Sequence, residues 1–219
     1  IDQNAGRTET DYKIHNLNRG KILSGTRFAI INQDIADHRD KALRIRKKIK
    51  NKNILINFGS SSHESLYSQF INSLISSGDM QGKSISLLSS NKTSNEFKDL
   101  LDSLKVRLLT SLSPIELAKL YISSDFCIGA GGVSALERCC LGLPSGVVCI
   151  AENQYPGSVQ LEKKGCIKLL NNFPDLTVSI DIIKNLLNDD NQLKELSINS
   201  LNEVDGNGLK RILSEVENA

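Results

Sequence analysis

From Asn53 onward, short apolar runs alternate with stretches of helical periodicity. Ile54-Leu55-Ile56-Asn57-Phe58 is a buried-strand pattern that stops at Gly59-Ser60-Ser61-Ser62. Leu66, Phe70, Leu74 and Ile75 then recur at helical spacing and predict a helix over 63–76. A second strand is predicted over 84–89, a helix over 95–103 and a third strand over 106–109. Ser113-Pro114-Ile115-Glu116 opens the next helix: Ser113 caps it, Pro114 takes its first position and Glu116 completes a capping box. The pattern continues with strands over 126–129, 145–151 and 166–170, separated by helices over 134–141 and 154–164. Helices follow over 179–188 and 191–202, then an Asp205-Gly206-Asn207-Gly208 turn and a last helix over 209–217. Strands alternating with helices over 53–170 predict an α/β fold, a Rossmann-like parallel sheet flanked by helices with right-handed crossovers.

The first part of the chain reads differently. Residues 1–25 are irregular, with one short strand pattern at Tyr12-Lys13-Ile14-His15. Phe28-Ala29-Ile30-Ile31, followed by Asp34 and Asp37, reads as a strand or linker entering a new domain. The expected division is 1–36 as a domain remnant and linker, and 37–219 as the α/β domain. The chain starts at Ile1 with no Met, from which an upstream segment is expected.

Composition narrows the classes. At 219 residues, 39% apolar and 24% charged, the profile is soluble and globular, one large domain or a smaller one plus a piece of another. A net charge of +2 argues for neither a nucleic-acid nor a membrane partner. No apolar run approaches the ~20 residues that span a bilayer, and no signal peptide is visible. Cys127, Cys139, Cys140, Cys149 and Cys166 are odd in number and sit in apolar settings, so packing thiols in a reduced, cytoplasmic compartment are expected. The cationic run over 36–52, from Arg39 through Arg46 to Lys52, reads as a solvated face.

The candidate chemistry gathers at strand ends. In an open parallel sheet, ligands bind at the carboxyl ends of the strands. Three such ends are small and polar here: Gly59-Ser60-Ser61-Ser62, residues 129–134, and Glu152-Asn153-Gln154. Gly131 and Gly132 let the backbone approach a pyrophosphate, and the helix start at Val133 and Ser134 supplies free N–H donors and a positive dipole end. Ser134 and Glu137 are three apart and share a helix face. An ionised carboxylate only accepts, so Glu137 suits vicinal ribose hydroxyls, leaving phosphate to the turn amides and Ser134. Asn153 and Gln154 carry donors and acceptors suited to sugar hydroxyl or acetamido groups. Each part also has a plain structural reading: glycines serve tight turns, Ser134 is an N-cap type, and Glu137 is a solvent-facing helix residue. Their occurrence together in one βαβ unit favours a nucleotide diphosphate-sugar, although a Gly-Ala-Gly-Gly turn alone is unspecific.

His15, His38 and His63 lack ligand spacing, so neither a metal nor another cofactor is expected. His63 lies within reach of a ligand phosphate, but reads first as a surface residue at a helix start. Nothing over 53–219 stands out as a general base, and no catalytic residue is assigned.

The segment from Asp125 to Gln154 resembles the C-terminal half of the pseudaminic-acid pathway UDP-sugar hydrolases. Glu137-Arg138-Cys139-Cys140 with Gly142-Leu143-Pro144, and Ala151-Glu152-Asn153-Gln154, carry the resemblance. Asp205-Gly206-Asn207-Gly208 is similar to the family's closing turn, Ile1-Asp2 to a strand end of its N-terminal domain, and Ile22 through Ala29 to its interdomain crossing. The resemblance implies the C-terminal domain of a two-domain GT-B-like fold, with UDP held mainly by this half. It implies that Gly131, Gly132 and Ser134 face the diphosphate, Glu137 the ribose, and Asn153 and Gln154 the sugar. The implied reaction is metal-independent hydrolysis of a UDP-linked diacetamido-trideoxy sugar, water attacking the anomeric carbon as UDP leaves. Gly59 and Ser60 fall where the family has a Gly-Gly-Ser/Thr-Asp loop, and Asp2-Gln3 where it has Asp-Asp. The family's catalytic histidine, in a Gly-x-Gly-His motif of the N-terminal domain, has no counterpart here, so the implied partner is a missing N-terminal domain. Two rivals remain: a GT-B glycosyltransferase with the same UDP grip, and a non-catalytic nucleotide-sugar binding module.

Overall fold

The structure is a computed structural model that describes residues 1–12, 20–47, 52–59, 64–76, 78, 80–89 and 93–218. A short helix α1 (Gln33–Ala36) and α2 (Arg39–Ile45) lead into the alternating unit. There β1 (Asn53–Asn57), α3 (Glu64–Ser76), β2 (Ser84–Leu88), α4 (Asn95–Ser103), β3 (Arg107–Leu109) and α5 (Pro114–Ser123) build the first half. The second half is β4 (Phe126–Ala130), α6 (Val133–Cys140), β5 (Ser145–Val148), α7 (Tyr155–Lys163) and β6 (Lys168–Leu169). Three helices close the chain: α8 (Ile180–Leu187), α9 (Asp190–Glu203) and α10 (Gly208–Glu217).

The six strands form one sheet in the order β3-β2-β1-β4-β5-β6, every pair parallel. The order reverses between β1 and β4, and Asn57 pairs with Gly129 at the carboxyl end of that junction. Strands buried on both faces read as continuous apolar runs. Along β1, Leu55 enters the core shared with Cys127 and Val147, whereas Ile54 and Ile56 enter the core on the opposite face with Ile85, Leu87 and Ile128.

Several boundaries differ from the sequence pattern, each for a local reason. β5 ends at Val148 because the Asn171 side chain takes over the pairing: its Oδ1 accepts from Cys149 N at 2.8 Å and its Nδ2 donates to the Cys149 carbonyl at 3.0 Å. Phe28 closes a single helical turn over Thr26–Phe28, and Phe28-Ala29-Ile30-Ile31 forms no strand. Tyr12 ends a turn at Glu9–Tyr12, and residues 13–15 lie outside the described residues. The cationic run is not simply a solvated face. Arg46 is buried and donates to the carbonyls of Tyr121 (2.6 Å), Ser124 (2.6 Å) and Leu141 (3.2 Å). Arg39 donates to the carbonyls of Cys140, Leu201 and Val204. These carbonyls end α5, α6 and α9, where cations and donors are favoured.

Residues before α2 pack onto the same unit. Ala29, Ile31 and Ile35 are buried in the core that holds Leu55 and Val147. Gly208 lies against Ala29 so closely that a Cβ there would stand 2.1 Å from the Ala29 carbonyl oxygen. Among the described residues no helix is long and apolar enough to cross a membrane.

Candidate functional site

A cleft of about 440 Å³ opens at the carboxyl ends of β1 and β4, where the strand order reverses. This is where open α/β sheets place ligands. Gly59, Gly131, Gly132, Val133, Ser134, Asn153 and Gln154 all stand on its wall. Other clefts lie elsewhere: about 310 Å³ between α3 and residues 175–180, and about 490 Å³ at the amino ends of β1–β3.

The two glycines of the turn serve different needs. A Cβ on Gly131 would stand 2.7 Å from Ser158 Oγ and 3.1 Å from Gln154 Cβ, so a bare backbone lets α7 close over the turn. Gly132 has φ +78°, a left-handed conformation that suits glycine. It is also the N-cap of α6, without a side-chain cap, which displaces the reading of Ser134 as the cap. Ser134 sits inside the first turn, its Oγ 3.5 Å from the Gly131 carbonyl. No described residue accepts a hydrogen bond from the backbone N–H of Gly132, Val133 or Ser134. Among the described residues, the helix start therefore presents open donors at the cleft, the arrangement that binds anions.

Gln154 is held by both ends: its Oε1 accepts from Ile150 N at 3.2 Å and its carbonyl from Ser158 Oγ at 2.8 Å. Asn153 is exposed. Gly59, with φ +84°, donates its N–H to Asn57 Oδ1 at 2.9 Å, turning the chain sharply after β1. Glu137 is half-buried further along α6 and is absent from the cleft wall. Burial pushes its carboxyl up from the ordinary range, against the pull of the Arg138 cation. Ser60 and His63 lie outside the described residues.

Beneath the turn lies Arg138, fully buried. Its Nη2 donates to the Ala130 carbonyl at 2.7 Å and its Nε to Ser145 Oγ at 3.1 Å, while Nη1 has no hydrogen-bond partner among the described residues. No ion pair involves it among the described residues; its titratable neighbours are Glu137 and the Cys127 and Cys139 thiols and Tyr121 phenol, which burial keeps neutral. Sequence reasoning treated Arg138 only as part of a motif. It noted Gln3 only as a departure from the family's Asp-Asp and missed Asn4; both reach the cleft wall from the start of the chain. Phe58 and Ile150, also on the wall, were legible as the ends of apolar runs.

No protein-family model matches the sequence, and no curated protein does. Solved structures do match. WaaG, a glycosyltransferase involved in lipopolysaccharide biosynthesis, aligns with TM-score 0.63 and 12% identity over 99% of this chain and 62% of its own. The UDP-GlcNAc 2-epimerase from Neisseria meningitidis, bound to UDP-GlcNAc, aligns with TM-score 0.62 and 16% identity over 85% of this chain and 52% of its own. The S. aureus MnaA–UDP co-structure aligns with TM-score 0.61 and 12% identity over 88% of this chain and 52% of its own. The fold is that of a GT-B C-terminal domain. The chain thus spans about half the length of the last two proteins and about three fifths of the first. Among the described residues, no group of three or more His, Cys, Asp or Glu side chains is placed to hold a metal ion.

Proposed function

We propose that the cleft binds a UDP-sugar, and that the chain is the UDP-binding half of an enzyme hydrolysing a UDP-linked diacetamido-trideoxy sugar to free sugar and UDP. On this reading residues 1–36 trail from a preceding domain and 37–219 form the nucleotide-binding unit. The observation that carries it is the N–H group at each of Gly132, Val133 and Ser134, bonded to no described residue, at a helix start that lines a cleft at the sheet's reversal point. Those donors match a diphosphate, and they would stabilise charge developing on UDP as it departs. Asn153 and Gln154 face the sugar. The nucleoside runs along α6 beyond the cleft, so that Glu137 meets the ribose. Related folds that hold UDP or UDP-GlcNAc support the ligand class. The hydrolytic step rests on the sequence resemblance around Glu137–Pro144 and Ala151–Gln154.

A glycosyltransferase is the second reading, favoured by the alignment with WaaG over nearly the whole chain. Calorimetric titration with UDP tests the shared part. UDP should bind, and Glu137→Ala should weaken it about tenfold, the scale of one hydrogen bond to a charged group, while leaving inorganic pyrophosphate unaffected. An absence of UDP binding would sink both readings. Product analysis on the full-length enzyme separates them: free sugar without acceptor supports hydrolysis, and turnover only with acceptor supports transfer.

A further inference from the structure

The start of the chain also lines the cleft: Gln3 and Asn4 stand on its wall with Gly131, Gly132 and Ser134. Their segment is pinned along its length. Asp2 N donates to the Leu23 carbonyl at 2.9 Å, and Gly25 N to the Asp2 carbonyl at 2.8 Å. Ala5 is buried in the main core, and Gly6 passes so close to α7 that a Cβ there would stand 2.4 Å from Gln160 Cγ.

These contacts decide which end of each carboxamide is left for a ligand. Gln3 Oε1 accepts from Ile30 N at 2.8 Å, so the oxygen is engaged and the NH₂ end is left. Asn4 donates from Nδ2 to Asp2 Oδ1 at 2.7 Å, and its backbone N–H reaches the same oxygen at 2.8 Å, leaving its carbonyl end. Gln154, which also lines the cleft, has its oxygen engaged by Ile150 N and its NH₂ end left. Backbone N–H groups only donate and carboxylates only accept, so none of these amides can be turned around without breaking its bond. Among the described residues, these three carboxamides leave two NH₂ ends and one carbonyl end wholly unbonded, and with Asn153 they give the cleft an uncharged amide lining beside the backbone donors of α6.

A diphosphate is served by the α6 donors and has no use for a carbonyl acceptor. A neutral sugar, whose hydroxyl and amide groups both donate and accept, matches the uncharged set. We infer that Gln3 and Asn4 are specificity-determining residues that hold the neutral glycosyl group of the ligand, Gln3 donating to it and Asn4 accepting from it. The inference rests on the reading of the glycine turn as a nucleoside diphosphate site. It assigns the two ends of the ligand to different parts of the chain: the nucleotide to α6, and the sugar jointly to residues 3–4 and 153–154.

The test is titration of the chain with UDP and, separately, with UDP-N-acetylglucosamine, on the wild type, Gln3→Met and Asn4→Ala. Each variant should lose about tenfold in affinity for UDP-N-acetylglucosamine and hold its UDP affinity within about twofold, one hydrogen bond being worth roughly that factor. Equal losses for both ligands, or no loss for either, would overturn the assignment. Gln3→Met also removes the bond to Ile30 N, so thermal melts accompany the titrations; Asn4 is exposed, and Asn4→Ala decides the matter if Gln3→Met does not fold. A wild type that binds neither ligand overturns the nucleotide reading itself, and the inference with it. A wild type that binds both, with unresponsive variants, overturns the inference alone.

Discussion

A buried guanidinium is among the most expensive groups to take out of water, and Arg138 is buried without an opposing carboxylate bonded to it. Its surroundings are cut to fit. Gly129, in the middle of a central strand, is a poor strand residue on propensity. A Cβ there would stand 2.9 Å from Arg138 Nη1 and 2.7 Å from the Asn57 carbonyl oxygen. Glycine at 129 and arginine at 138 are thus one feature. Gly129→Ala should destabilise the protein by about 2 kcal/mol, the cost of overpacking a tight interior, as read from the midpoint of urea unfolding. Unchanged stability would show that the guanidinium shifts freely. The sequence showed the glycine and the arginine but not their contact, because nothing in residue spacing reveals that a helix residue points back under the strand it follows. The same limit hid the place of Gln3 and Asn4 on the cleft wall, which depends on packing against residues far along the chain.

At the scale of elements, periodicity exposed nearly every piece of the α/β unit. Ser113 and Glu116 form the capping box their spacing predicts, Glu116 N lying 3.3 Å from Ser113 Oγ and Ser113 N 2.8 Å from Glu116 Oε2. What escaped were ends set from a distance, such as β5 halted by Asn171, and α2, whose arginines look solvent-bound until their carbonyl partners are in place. The turn before α10 makes a testable case. Asp205 accepts from Asn207 N at 2.9 Å and from Arg211 Nη1 at 2.9 Å, and Arg211 also donates to the Arg27 carbonyl at 2.9 Å. These bonds, led by that from Arg211, hold the Asp205 carboxyl far below its ordinary range. With the folded value depressed, the stabilisation is present above the unfolded value near ~4 and drains away as pH falls through the folded one. The group is part-exposed, so screening limits the effect to about 1 kcal/mol. Asp205→Asn should cost about that much at pH 7 and make unfolding less sensitive to acid, as followed by urea titrations at neutral and acidic pH. An acid profile identical to wild type would assign the loss to other carboxylates.

For the whole molecule, the reversal of strand order between β1 and β4 locates the cleft; the alternating pattern anticipates ligands at the carboxyl ends of the strands but not the order of the strands. If the nucleotide reading holds, ligand and fold are linked. UDP at a hundred times its Kd should add about 2.7 kcal/mol to stability. For a chain of this size, that is a rise in Tm of roughly 5–10 °C. A flat melting temperature across that titration would contradict specific binding to the folded state. Among the expected site residues, the ones on the cleft wall share contiguous motifs at strand ends, the kind of proximity a linear sequence reveals. Glu137 shares the motif yet stands off the wall while Leu136 beside it lines the cleft, since at about 3.6 residues per turn successive helix residues point in different directions around the axis.

Helix α6 begins at the cleft and finishes at the arginines. Its closing carbonyls, Cys140 and Leu141, are gripped by Arg39 and Arg46, which in the same stroke grip the ends of α5 and α9. A helix bolted at its tail to two neighbours cannot swivel or fray on its own. The donors at its head therefore keep their aim in the empty protein, and the loss of freedom that ordering them requires is met during folding. A ligand arriving at the cleft encounters a fixture already set.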